Sequence, residues 1–275
     1  MSDDIARLRN EYEDRKRRFA ASDVYSVFNQ ATLFGVHQRQ RVTLSILKKN
    51  GITDFSNLRI LEMGCGGGGV LTEYLGFGAS PKNLFGVDLL FDRLCHAHRT
   101  LPSSGFANAD GQSLPYSSKI FDLVLQYTAI SSILDPEIRR NICAELLRVL
   151  RSPDPASGKP GGLILWYDFW LNPTNPQTRG IRPKEIRQLF PNCSYEFHRI
   201  TLAPPLARRI VPISWMLALF LESLKIFNSH YPVRYIDFLG NVLKTLENFF
   251  WPFFAPIYRG FTKLTRTYGG CKWLF

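Results

Sequence analysis

The stretch Glu62-Met-Gly64-Cys-Gly66-Gly-Gly68-Gly69 sets a carboxylate two residues ahead of a glycine-rich turn. Glycine tolerates tight turns and lets a ligand approach the backbone closely. A glycine loop between a strand and a helix leaves free N–H groups at the helix start, which suits a nucleotide or phosphate cradle. Two patterns overlap here. Gly64-x-Gly66-x-x-Gly69 satisfies the dinucleotide fingerprint, and Glu62-x-Gly64-x-Gly66-x-Gly68 is an acidic variant. A carboxylate at that strand position would repel a pyrophosphate and would favour a cationic ligand. Asp88 lies 88 − 64 = 24 residues after the first loop glycine. A carboxylate at that distance, on the end of the next strand, can accept both ribose hydroxyls of a nucleotide.

Such residues work only if strand ends are set side by side. Residues 2–20 are charged and helical in pattern, with Ile5, Leu8, Tyr12 and Phe19 as a sparse apolar stripe. A second helix over about 30–49 stops at Asn50-Gly51. Short apolar runs at 58–63, 84–89, 106–110, 121–126 and 163–166 alternate with helical periods at 70–75, 92–99 and 136–151. This alternation predicts a parallel α/β sheet with right-handed crossovers, which binds ligands at the carboxyl ends of its strands. Residues 152–162 and 172–183 read as loops, followed by a short helix at about 183–190. Residues 194–202 read as a further strand, and Pro232 argues against 231–236 as its partner.

The 275 residues are 45% hydrophobic, enough to bury a core and to exclude global disorder. The net charge of +11 favours something anionic: nucleic acid, an acidic membrane face or a phosphorylated substrate. Residues 201–275 hold 9 basic and 3 acidic side chains, so 9 − 3 = 6 of the 11 excess charges lie in this aromatic-rich last quarter. Its uncharged run at 210–221 has 12 residues, short of the roughly 20 a membrane-spanning helix needs. Two readings of the tail stand. Its aromatics pack as a lid or subunit interface, or Arg208, Arg209, Lys225, Lys263, Arg266 and Lys272 with interleaved Trp and Phe form an interfacial membrane surface. Five scattered cysteines without a CxxC pair point to free thiols in a reducing cytosol, and His96-x-His98 lacks partners for a metal site. The first four residues read as a helix cap and acidic first turn rather than a secretory leader.

In order and spacing, five segments resemble the class I S-adenosylmethionine-dependent methyltransferases, of the broad group that includes the ubiquinone and menaquinone enzymes. They are Arg59-Ile-Leu-Glu-Met-Gly-Cys-Gly-Gly-Gly, Phe85-Gly-Val-Asp, Ala109-Asp-Gly-Gln-Ser-Leu-Pro-Tyr, Phe121-Asp-Leu-Val-Leu-Gln and Glu145-Leu-Leu-Arg-Val-Leu. The resemblance covers roughly residues 55–170. It implies a Rossmann-like, mostly parallel seven-stranded sheet flanked by helices, here with N-terminal helices and an aromatic, basic, helical C-terminal extension. It implies S-adenosylmethionine as cofactor, with Glu62, Gly64, Gly66 and Gly68 lining its methionine end and Asp88 holding the ribose. Asp110, beside Gly111, would accept the adenine amino group, and Gln126 would sit close to the methionine moiety or methyl group. Residues 167–191 show a looser resemblance to a subgroup from bacterial glycan and natural-product pathways.

The expected organisation is an N-terminal helical cap (1–50), a cofactor-binding domain (51–204) and the extension (205–275). The expected reaction is methyl transfer by in-line displacement to a small or medium-sized acceptor, glycan, lipid-linked or natural-product in type. Alignment is the main task of such an enzyme, and a base is needed only for a weakly acidic acceptor. Candidates for it are His37, Tyr127 and Tyr167, with Asp168 beside the last. No metal is expected, nucleic acid is not the expected partner, and the expected location is cytoplasmic, extending to the inner membrane face. The alternatives are an NAD-type oxidoreductase, which Glu62 disfavours, and a non-catalytic or RNA-binding module of the same fold.

Overall fold

The computed structural model describes residues 3–18, 22–154, 160–170 and 175–237. Two helices come first, α1 (Asp3–Arg18) and α2 (Gln30–Lys49). The alternating core follows as β1 (Ile60–Met63), α3 (Gly69–Gly76), β2 (Leu84–Asp88), α4 (Phe91–Thr100), β3 (Gly105–Asn108), β4 (Leu123–Tyr127), α5 (Pro136–Val149) and β5 (Leu163–Phe169). The chain continues through α6 (Pro183–Leu189), β6 (Cys193–Phe197), β7 (Ile200–Leu202), α7 (Pro204–Ile210), α8 (Trp215–Ser223) and β8 (Asn228–Asp237).

The sheet order is β3-β2-β1-β4-β5-β8-β6, with β7 also paired to β8. The first five strands are parallel, and β8 runs antiparallel to its neighbours. Among the described residues eight strands occupy seven positions, because the run expected at 194–202 is broken at residues 198–199 into β6 and β7, both on β8. The expected Rossmann-like sheet is therefore present. Its order reverses at β1, whose two neighbours are β2 and β4, and a crevice opens there at the carboxyl ends.

Strand alternation sorts the side chains. Glu62 pairs in register with Gly86 and Leu125, and Tyr127 pairs with Tyr167, so Glu62, Tyr127 and Tyr167 share one face. Met63, Gln126, Trp166 and Asp168 share the other. The first face packs on α2, α3 and α4 through Leu47, Leu71, Tyr74 and Leu94. The second packs on α5 and α6 through Ile142, Leu146, Ile186 and Phe190. A third, smaller core of Phe34, Leu202, Ala207 and Ala218 joins α2 to α7 and α8.

Pro232 does not exclude residues 231–236 from the sheet, contrary to the sequence expectation. Trp170 N–H donates to the Ser229 carbonyl at 3.2 Å, which fixes the phase of the β5–β8 ladder. By that phase Pro232, opposite Tyr167, turns its nitrogen away from β5 and toward the edge. There it meets the break between β6 and β7, where no ladder bond is required. The extension beyond residue 204, expected to be helical, thus supplies α7, α8 and a sheet strand. Lys263, Arg266 and Lys272 lie outside the described residues.

Candidate functional site

The crevice at the switch point holds a cavity lined by the β1–α3 loop, the ends of β2 and β4, the turn after β3, and α1. The loop owes its path to three glycines with positive φ, Gly64 (71°), Gly66 (53°) and Gly68 (80°). A Cβ on Gly64 would come within 2.5 Å of the Ala129 Cβ, and one on Gly66 would overlap the Arg93 guanidinium. Gly64, Cys65, Gly67 and Gly69 face the cavity, while Gly66 and Gly68 shape the turn behind them.

Asp88 ties the loop to β2. Its Oδ2 accepts the Gly66 N–H at 2.7 Å and its Oδ1 accepts the Leu90 N–H at 2.9 Å. The side chain is buried yet lines the cavity, so it builds the site as well as facing it. Glu62 is also buried and lines the cavity, and its Oε2 accepts no hydrogen bond. Burial pushes its pKa well above the ordinary carboxylate range, with Arg39 opposing the shift. An unsatisfied buried carboxyl oxygen is costly, and a cationic ligand is what would satisfy it. The donor set therefore fits S-adenosylmethionine: an unpaired acid for its ammonium and sulfonium end, and a glycine wall open to close approach. A second carboxylate at the next strand end has lone pairs to spare for ribose hydroxyls.

Asp110 and Gly111 also line the cavity. Asp110 Oδ1 accepts the Gln112 N–H and Oδ2 accepts the Gln112 side-chain amide, so the turn before Gly111 is built on this residue. A Cβ on Gly111 would press Ile142 Cγ1 at 3.3 Å, which lets α5 approach closely.

Of the other expected residues, Gln126 and His37 stand elsewhere. Gln126 is fully buried on the α5 face, its Nε2 donating to Asp168 Oδ2 at 2.8 Å, and it lines neither of the two cavities described here. One residue along a strand reverses the face, so Tyr127 rather than Gln126 reaches the cofactor side. Asp168 Oδ2 also accepts the Ser131 N–H at 3.0 Å, so the Gln126–Asp168 pair positions the loop after β4 from behind. Tyr127 lines the cavity, but its hydroxyl turns to those of Thr43 and Tyr74 at 3.3 Å each, and burial raises its pKa. His37 is exposed on α2, its ring toward Trp215, and it lines neither cavity.

A much larger groove lies beyond the cavity, bounded by α1, α2, α4, α7 and the ends of β5 and β8. The two spaces share Tyr12, Gly67, Leu90, Arg93 and Thr128. Arg93 lies over the Tyr12 ring at 4.9 Å and against Gly66, at their junction. Thr128 sits beside them at φ 57°, a strained value for a β-branched residue. Tyr167 lines the groove, its hydroxyl 2.9 Å from Thr201 Oγ1, and burial raises its pKa to about 12. His230 stacks on Tyr167 with ring centroids 4.6 Å apart, and its Nδ1 hydrogen-bonds the Ser229 hydroxyl at 2.9 Å. Burial lowers its pKa to about 3, with Arg39 adding to the shift. None of Arg93, Thr128 or His230 carried a sequence signal, since each acquires its place from a different element. The Ile5, Leu8, Tyr12 stripe did carry one: it is the face of α1 that roofs the cavity. Arg7 anchors that roof, donating to the Ser132 carbonyl and to Gln177 Oε1.

Comparison with known proteins agrees with this geometry. Residues 60–153 match the family model described as a methyltransferase domain. That match, over about a third of the chain, agrees with the resemblance to the class I S-adenosylmethionine-dependent methyltransferases, whose cofactor is S-adenosylmethionine. The chain is 36% identical over 124 residues to a phthiotriol/phenolphthiotriol dimycocerosates methyltransferase of Mycobacterium ulcerans, across 44% of this chain and 41% of that protein. It is 29% identical over 126 residues to a ubiquinone biosynthesis O-methyltransferase of Cereibacter sphaeroides, across 43% of this chain and 44% of that one. The matched part thus spans less than half the length of these relatives. The fold is shared with the 1,6-didemethyltoxoflavin-N1-methyltransferase of Burkholderia thailandensis at a TM-score of 0.54 and 13% identity, over 84% of this chain and 88% of that chain.

Proposed function

We propose that this protein transfers a methyl group from S-adenosylmethionine to an acceptor held in the large groove. Glu62 carries the reading: a buried carboxyl oxygen without a partner, on the wall of a glycine-lined cavity, asks for a cation. S-adenosylmethionine supplies a methyl group activated by its sulfonium. The chain supplies alignment, with Thr128, Arg93 and Tyr12 forming the opening through which groove and cavity meet. His230 lines the groove and is held neutral by burial, but a pKa lowered to about 3 makes it a weak base, so the reading rests on alignment and assigns no general base. The acceptor we propose is lipid-linked or glycan in type. The size of the groove and the lipid and quinone names of two relatives support that class.

Calorimetric titration tests the cofactor. Saturable binding of S-adenosylmethionine without binding of NAD supports the reading, and the reverse result gives the site to an oxidoreductase. Incubation with labelled S-adenosylmethionine and host lipid and glycan extracts then tests turnover and locates the labelled product. Tight cofactor binding without any labelled product would favour a non-catalytic module.

A further inference from the structure

We propose that α7 and α8 seat this protein on an anionic membrane surface, with the mouth of the large groove at the lipid interface. The inference starts from the polarity of α8. Ala218 and Glu222 face inward, where Glu222 Oε1 accepts the Thr201 N–H at 2.9 Å and ties the helix to β7. The outward positions are Met216 (74% exposed), Leu217 and Phe220 (59%), continued by Ile213 before the helix and Leu224 after it. A surface helix ordinarily turns charged or polar residues to water, and a contiguous apolar ridge of this kind marks an interaction site.

Charge selects the occupant. Arg208, Arg209 and Lys225 flank the ridge and are all exposed, while the acid of this segment, Glu222, is buried. An apolar strip with a basic margin matches the acyl and headgroup layers of an anionic leaflet. Nine residues of helix span about 14 Å, under half of a bilayer core of about 30 Å. No described helix is long and apolar enough to cross a membrane, so α8 would lie in the interface. The ridge leads toward the groove, because Ile226 and Phe227, two and three residues after Leu224, line it together with Leu206 and Arg208 of α7. An acceptor leaving the membrane along this path would move over apolar surface toward the cofactor cavity.

Flotation of the full-length chain with vesicles tests this, using phosphatidylglycerol mixed with phosphatidylcholine against phosphatidylcholine alone. The wild type should float with the anionic vesicles and not with the neutral ones. The pair Met216→Glu and Phe220→Glu should lower the bound fraction about tenfold, and Arg208→Glu with Arg209→Glu should do the same while making the remainder insensitive to salt. Both variants alter outward side chains, so an unchanged melting temperature and unchanged S-adenosylmethionine binding certify the fold. Failure of the wild type to float overturns the proposal. So does full binding by the Met216/Phe220 variant, which would place the contact in residues 238–275. A dimer that this variant dissolves, without vesicle binding, would give the ridge to a second copy and also overturn it. None of these outcomes touches the cofactor titration, so membrane docking and methyl transfer stand or fall separately.

Discussion

The Gly66 N–H donates to Asp88 Oδ2 at 2.7 Å, so the second strand end holds the turn that follows the first. The same carboxylate accepts the Leu90 N–H and lines the cavity. Asp88→Ala should therefore weaken S-adenosylmethionine binding by about 1–3 kcal/mol, through lost ligand bonds and a loosened loop together. Asp88→Asn keeps one acceptor oxygen and should fall between. Calorimetry on both variants checks this, and wild-type affinity in the alanine variant would refute the assignment.

Gly64→Ala tests the loop itself. Its φ of 71° and the 2.5 Å approach to Ala129 leave no room for a methyl group. The expected loss is about 1–3 kcal/mol of stability, accompanied by a fall in cofactor affinity. Gly69→Ala, where nothing lies within 4 Å, is the matched control and should melt close to the wild type.

Glu62 predicts an unusual pH dependence. Its folded pKa lies above its ordinary value of 4.5 because burial disfavours the charge. The contribution to stability is complete below that ordinary value and drains as pH rises through the folded one. Glu62→Gln should remove this part of the slope and leave the ligand-free protein relatively more stable at neutral pH, while binding S-adenosylmethionine more weakly. Melting curves across pH with and without ligand show both effects. A variant that keeps the wild-type pH slope would count against the buried charge.

His230 has the opposite sign. Burial lowers its pKa from 6.5 to about 3, so its contribution is complete above 6.5 and drains as pH falls toward 3. His230→Gln should flatten the loss of stability in that range, whatever its cost at neutral pH. Denaturant titrations at a series of acid pH values measure it.

Much of the scaffold could be read from period and punctuation. The glycine loop, the parallel strands and the place of Asp88 at the end of β2 depend on local spacing, and Asp110, to which the family resemblance pointed, lines the same cavity. Gln126, expected near the methyl group, stands on the α5 face because a motif gives a position but not a face: its neighbour Tyr127 carries the side chain on the cavity side. His37 stands off the groove because helix α2 borders it through Gly35, Val36 and Arg39 and turns His37 outward. The groove was invisible because several separate elements build it, and no window of sequence contains them. Pro232, expected to keep residues 231–236 out of the sheet, stands inside β8. What the sequence did not disclose was that β6 and β7 leave a gap opposite its nitrogen.

That gap has a consequence for the protein among its own copies. The β6–β7 side is an open margin of the sheet among the described residues, and an unbroken margin is a template for strands from other molecules. Here the available runs are five and three residues long, interrupted where the chain turns at 198–199. A protein that gathers at a lipid surface is concentrated there, and short, broken runs are poor seeds for edge-to-edge aggregation.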